Sequence, residues 1–398
     1  MLLLNARLEP VESPAVAQGF LQIQQGKITA MGKMGDPLPK DQEVYDLSGY
    51  TVYPGFVDAH CHIGMWEDGL NFEGDDGNEQ TDPVTPQLRA IDAVNPMEHC
   101  FEEALQGGVT TVLTGPGSAN AIGGSWCAMK TMGRRIDDMV IDPNVGMKFA
   151  LGENPKTVYH DRDETPITRM AVAALIREQL HKAKEYQKAK RKAKRENDDP
   201  PEYDAKCEAL LPVLKGKCKA FFHCHRADDI FTAIRIAKEF SLDLVLVHAT
   251  EGYLVADLLQ QEQAKIIAGP VLCDRSKPEM GKASIENPAK LWQAGLPCAI
   301  CTDHPVIPIQ YLPLTAGIAI RGGLDRRQAL AAITLLPAQL TGLEDRVGSL
   351  AVGKDGDLVI SRDDIFSSYF IPAAVFCNGR LAAQGKDSPF RKQVENNA

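Results

Sequence analysis

Between residues 219 and 333 the sequence alternates between two kinds of segment, and this alternation restricts the fold more than any other feature. KAFFHCH (219–225), LDLVLVHA (242–249), KIIAGP and PCAICTDH (297–304) are apolar runs of strand length. Each is followed by a segment with apolar residues three and four apart, such as Ile230, Ile234 and Ala237 in ADDIFTAIRIAKEF. A helix with one apolar stripe must lay it on another element, and strand–helix repetition does this on a parallel sheet or a closed barrel. Such a barrel takes about 250 residues, so a chain of 398 has room for one and for a smaller unit.

The smaller unit is predicted from the two ends together. Residues 1 to 53 read as short strands with turns, among them Gln24-Gln25-Gly26-Lys27. The segments RVGSLAVGKDGDLVISRDD and AAVFCNGRLAAQG near the other end read the same way, with Asn378-Gly379 as a hairpin signal. We therefore expect residues 1–53 and 345–398 to form one composite β-sandwich domain, with residues 54–344 inserted as the barrel. Within the barrel, the Gly-rich run GPGSANAIGGS (115–125) reads as turns and lacks the Lys-Ser/Thr of a phosphate loop. Residues 177–217 are expected as a helical excursion near the barrel rim.

That excursion carries eight cations between Lys182 and Arg195. With Tyr186 as its one aromatic and a chain net charge of -10, a solvated helix face is expected rather than a nucleic-acid site. The same charge argues against an anionic membrane as partner. MLLLN has no basic flank of the kind that opens a signal peptide, and no apolar run reaches the eighteen or so residues of a membrane span. Ten cysteines without a small-domain spacing suit reduced thiols, so a cytoplasmic location is expected.

The polar residues that interrupt the apolar strands all fall at predicted carboxyl ends. They are His60 and His62 in VYPGFVDAHCHIGMW, Glu153 after the strand at 145–151, His223 and His225, His248, and Asp303 with His304. In a parallel barrel these ends share one face, where the loops build the site. Six of the nine histidines are thus brought together, which predicts a metal centre. Imidazole and carboxylate ligands suit zinc or another late first-row divalent ion. Cys61 and Cys224, each between two histidines, point to the opposite strand face and are expected to pack.

With PGFVDAHCH, a histidine closing a middle strand, another closing the next, TDH late in the chain and a terminal GSLAVGKDGDLVI, the sequence resembles the amidohydrolase superfamily. Within it the chain looks most like imidazolonepropionase-related and dipeptidase-like members. The resemblance implies a (β/α)8 TIM barrel with a small β-sandwich from both termini, and one or two Zn2+ ions. It implies that His60 and His62 hold the more buried ion, that His223 and His248 hold a second, and that Asp303 binds metal weakly and acts as general base. In relatives a carboxylated lysine or a glutamate bridges two ions. Lys148 and Glu153 are the candidates here, with Glu153 slightly preferred because it stands at the rim and needs no modification.

Metal coordination lowers the pKa of a bound water to about 7, so the implied reaction is hydrolysis of a C–N bond in an amide, cyclic amide or dipeptide-like substrate. A mononuclear deaminase is the alternative, and a non-catalytic scaffold a further one. His225 and His304 suit substrate contact or a supporting hydrogen bond equally. Arg162, Arg169, Arg226, Arg275 and Lys277 lie in segments where they can bind a substrate carboxylate or form surface ion pairs. The expected partner is a small molecule, and a homo-oligomer is compatible with the resemblance.

Overall fold

The computed structural model describes residues 1–40 and 43–391; residues 41–42 and 392–398 of the predicted terminal domain lie outside the described residues. Five strands open the chain: β1 (Leu2–Leu8), β2 (Val16–Gln24), β3 (Lys27–Lys33), β4 (Val44–Asp46) and β5 (Thr51–Pro54). Three close it: β14 (Leu358–Ser361), β15 (Ala374–Cys377) and β16 (Arg380–Gln384). They join in one sheet, in which β5 pairs antiparallel with β14 and so ties the two ends of the chain together. Gln25 and Gly26 both take positive φ between β2 and β3, and Asn378 and Gly379 do so between β15 and β16. This is the backbone of the two-residue turn that matches strand twist.

The eight strands between are β6 (Phe56–Cys61), β7 (Val109–Thr114), β8 (Ile122–Lys130), β9 (Val140–Ala150), β10 (Lys219–Cys224), β11 (Leu244–His248), β12 (Ile266–Ala268) and β13 (Cys298–Ile300). They are neighbours in chain order, as in a TIM barrel, with Val57, Ala59, Leu113, Trp126, Phe221, Val245, Val247, Ile267 and Ala299 packed together inside. Helices cover the outside and bury the alternate residues, such as Phe149, Phe222 and Leu246.

One strand departs from the parallel repeat expected from the sequence. β8 runs antiparallel to both β7 and β9, and its first residues lie in the Gly-rich run read as turns. The reason is connection length. Only residues 115 to 121 separate β7 from β8, whereas a parallel crossover needs a dozen or more. The glycines permit close approach: a Cβ on Gly115 would sit 2.1 Å from the Trp126 ring.

Between β13 and β6 no ladder forms, and the barrel closes through individual bonds. The Asp303 N–H donates to the His60 carbonyl at 3.0 Å, and the His62 N–H to the His304 carbonyl at 2.8 Å. The buried Asp58 carboxylate accepts from the N–H and hydroxyl of Thr302. Burial pushes the Asp58 carboxyl up to about 7, against those hydrogen bonds.

The helical excursion forms a long helix, Arg169–Glu196, paired with Ala205–Leu214. Val172, Ile176, Leu180 and Ala183 of the first pack against the outer face of the barrel wall with Phe149 and Phe222. Beyond them, cations of the long helix meet acids of the shorter one, with Lys182 on Asp204 and Lys190 on Glu208. Among the described residues no helix is long and apolar enough to cross a membrane. The ten cysteines carry no disulfide.

Candidate metal centre

Two backbone irregularities aim side chains into the barrel mouth. Between Asp58 and Cys61 on β6 the paired residues advance only from Val112 to Thr114 on β7. This bulge lets both Ala59 and His60 face inward, while Cys61 packs outside. On β11, Val245 and Val247 face the interior and Leu246 the helices, so strict alternation would turn His248 outward. Its φ of 71° returns it to the mouth. Asp303, beyond β13, has φ 56°. Positive φ in residues with a Cβ costs energy and concentrates at functional sites.

The side chains converge in two groups. His60, His62 and Asp303 form one, with an Asp303 carboxylate oxygen 3.3 Å from His60 Nε2 and 3.4 Å from His62 Nε2. His223, His225 and His248 form the other, each offering a ligand atom within 4.8 Å of the rest. The groups adjoin, since the ring centroids of His60 and His248 are 5.2 Å apart. They open on a cavity of about 300 Å³ whose lining includes His62, His223, His225, His248 and Asp303. A larger cavity of about 570 Å³ reaches only His248 among these, so the chemistry belongs to the smaller one.

Hydrogen bonds to the Nδ1 atoms set which nitrogen is free. His62 Nδ1 donates to the Gly115 carbonyl and His248 Nδ1 to the Gly269 carbonyl, both at 2.7 Å. A carbonyl only accepts, so Nδ1 carries a proton and Nε2 is the nitrogen turned to the cavity, as a metal requires. His223 and His225 place Nδ1 against the hydroxyls of Ser118 and Thr250. Burial holds His60, His223 and His248 well below the ordinary imidazole range, and His225 at about 4, so all four are neutral and able to ligate. Against its burial, the Asp303 carboxyl is held well below the usual carboxylate range and is ionised.

Among the buried polar atoms without a hydrogen-bond partner, four lie at this site: both ring nitrogens of His60, the Lys148 amine and one oxygen of Glu279. His60 Nε2 lies near Asp303 without hydrogen-bond geometry. Orphaned donors and acceptors are rare in protein interiors, and these four lie where an ion would satisfy them, so the residues present fit a divalent metal. Lys148 is fully buried on the inner face of β9, between Met147 and Phe149 on the outer face, with its amine 4.9 Å from the Trp126 ring centroid. Burial brings it down to about 7, so a large fraction of the amine is uncharged at neutral pH.

Glu153, the other candidate for the bridge, joins neither group. It starts the helix Glu153–His160, where its carboxylate accepts from the Glu279 N–H and its own N–H donates to the Glu279 carboxylate. His304 faces away from the cavity, grouped with Glu98 and Cys100. Its Nδ1 accepts from the Ile309 N–H, so the other nitrogen of the neutral ring carries the proton and cannot ligate. Arg226 is paired with Asp228, Arg169 with Asp229, Arg162 bonds Gln80 and Arg275 the Ala283 carbonyl. Lys277 alone of those five lines the cavity.

Glu279 was missed from sequence. Its unpaired oxygen lies 3.7 Å from His225 Nε2 and 3.9 Å from His223 Nε2, but it sits in a loop with no periodicity to mark it. Trp126, stacked on His60 at 4.2 Å between centroids, was hidden by the unrecognised strand β8.

The sequence profile of the amidohydrolase family matches residues 51–382. The crystal structure of an amidohydrolase from Thermotoga maritima MSB8 is 40% identical and superposes with a TM-score of 0.93 over 96% of this chain and 100% of that one. Amidohydrolase tasK of Hapsidospora irregularis is 30% identical over 393 residues, 91% of this chain, which spans 39% of the length of that relative. The imidazolonepropionase of Geobacillus kaustophilus (strain HTA426) is 25% identical over 384 residues, covering 87% of this chain and 84% of that protein. With the fold, the strand-end histidines and this match across most of its length, the chain belongs to the amidohydrolase family.

Proposed function

We propose that this protein is a metal-dependent hydrolase of a C–N bond in a small amide, cyclic amide or dipeptide-like molecule. The reading is carried by two adjoining groups of buried imidazoles, one of them with Asp303, that open on one cavity of small-molecule size, with an unpartnered lysine buried beside Trp126. His60, His62 and Asp303 would hold one ion, and His223 and His248 a second, with His225 in reach of the latter. Zinc suits this donor set, and other late first-row divalent ions share it.

We read Lys148 as the bridging residue in preference to Glu153, because its buried amine beside Trp126 has no partner while Glu153 is bonded to Glu279. Its uncharged amine can add carbon dioxide, forming an N–C bond and losing one proton, to give a carbamate with two oxygens. When bound, the divalent ions supply a water of lowered pKa and polarise the substrate carbonyl. Asp303 takes the proton from the attacking water and hands it to the leaving nitrogen, a transfer that suits an ionised carboxylate at the rim of the cavity. Trp126 and the loops exclude bulk water from the buried side.

The test is a zinc-replete assay against cyclic amides, N-acyl amino acids and dipeptides, with metal counted per chain. Turnover with about two ions per chain is expected. About one ion with release of ammonia from an amino-substituted ring would instead indicate a deaminase, and no bound metal would end the proposal.

A further inference from the structure

The cavity has a charge that the hydrolytic chemistry does not use. Lys277, on the loop after β12, is half-buried and is the one lysine or arginine among the residues lining the cavity. Its amine donates to the Asn154 side-chain oxygen at 2.8 Å, and the Asn154 amide in turn lies 3.5 Å from His223 Nε2. No ion pair of Lys277 occurs among the described residues; Asp274 lines the same cavity without reaching it. The other cations considered in this region, Arg162, Arg169, Arg226 and Arg275, are each bonded elsewhere.

A lysine kept at a cavity wall by a neutral amide, with most of its charge uncompensated, is prepared for an anion that arrives with the ligand. Trp66, Met280, Pro305 and Val306 also line the cavity and give it an apolar side. We propose that Lys277 anchors a carboxylate of the substrate, so that the substrates are amides bearing a free acid, such as N-acyl amino acids or acid-bearing cyclic amides. This rests on the hydrolase reading for what is cleaved, but the anion subsite stands on its own geometry. Lys277 is a specificity residue in this scheme and takes no part in proton transfer.

The experiment uses the zinc-loaded full chain and two matched probes, N-acetylleucine and its neutral amide, titrated by calorimetry. The acid should bind at least about tenfold more tightly than the amide, as expected for a hydrogen bond to a charged group. Lys277→Met should remove that preference and Lys277→Arg should restore most of it. Direct metal–carboxylate binding would also favour the acid, but it would survive Lys277→Met. Equal binding of the two probes by the wild type, or an unchanged preference in Lys277→Met, overturns the proposal. In parallel, kcat/KM is measured for any amide acid that is turned over and for its methyl ester. Turnover that ignores the acid and is insensitive to Lys277→Met sinks the anion subsite while the hydrolase reading stands. Lys277-dependent binding of the acid, with no hydrolysis of any amide, keeps the subsite and sinks the hydrolase reading.

Discussion

Two lysines lie buried on adjacent strands of the barrel, Lys130 at the end of β8 and Lys148 within β9, and their surroundings are opposite. Lys130 faces the seam with the terminal sheet, where its amine pairs with Asp355 at 3.0 Å and with Asp357. Lys27 of the sheet and Arg346 reach the same Asp355. Burial acts against the charge of Lys130, but Asp357 and Asp355 outweigh it and keep its pKa above the ordinary value. Lys148 has no hydrogen-bond partner and falls to about 7. A buried charge that is fully partnered stabilises a joint between units. A buried amine without a partner is tolerated only where something else uses it.

Four experiments would break or sharpen this contrast. The largest effect is expected on catalysis at the barrel mouth: Asp303→Asn should lower kcat by about 10²–10⁴-fold, the usual range for a general acid–base group. Its metal content, measured by elemental analysis, should persist through the histidines. Lys148→Met should lower turnover by a comparable or smaller factor, with metal per chain reduced, yet its melting temperature without metal should equal or exceed that of the wild type, because a solvent-starved amine has been replaced by an apolar side chain. A large fall in melting temperature there would mean that Lys148 is structural after all.

Lys130→Met should do the reverse. Leaving Asp355 and Asp357 without their buried partner should cost about 3–5 kcal/mol, read by urea titration, while the protein that remains folded keeps its turnover. Loss of activity per folded molecule would show that the seam and the mouth are coupled. The smallest change belongs to Arg226→Ala. The Arg226–Asp228 pair is exposed, and such pairs contribute about 0.2–1 kcal/mol at most, so kcat/KM should change by less than about threefold if Arg226 makes no substrate contact. A tenfold loss would return Arg226 to the list of substrate contacts.

The convergence of the candidate ligands was legible from sequence because strand ends in a repeating barrel are forced to one face. That His60, His62, His223, His248 and Asp303 would converge could be said without knowing any distance. Glu279 could not be placed with them, since a loop residue has no pattern that fixes where its side chain goes. Between the two bridge candidates the sequence favoured Glu153, which stands at the rim, over Lys148; the fold instead ties Glu153 to Glu279 at a helix start and turns Lys148 inward, and that orientation is set by the pleat and not by the local sequence. The antiparallel strand β8 was concealed by glycines that read as turns, although the short link from β7 already ruled out a parallel crossover.

What the sequence determined by itself was the periodicity: apolar runs and stripes that must close on one another, the turn residues at both ends, and the histidines at strand termini. Only the tertiary structure decided orientation. A bulge on β6 and a left-handed residue at His248 turn inward two histidines that simple alternation would send outward. Whether a buried lysine is neutralised or left vacant depends on what another, distant part of the chain brings beside it, and local sequence carries no record of that.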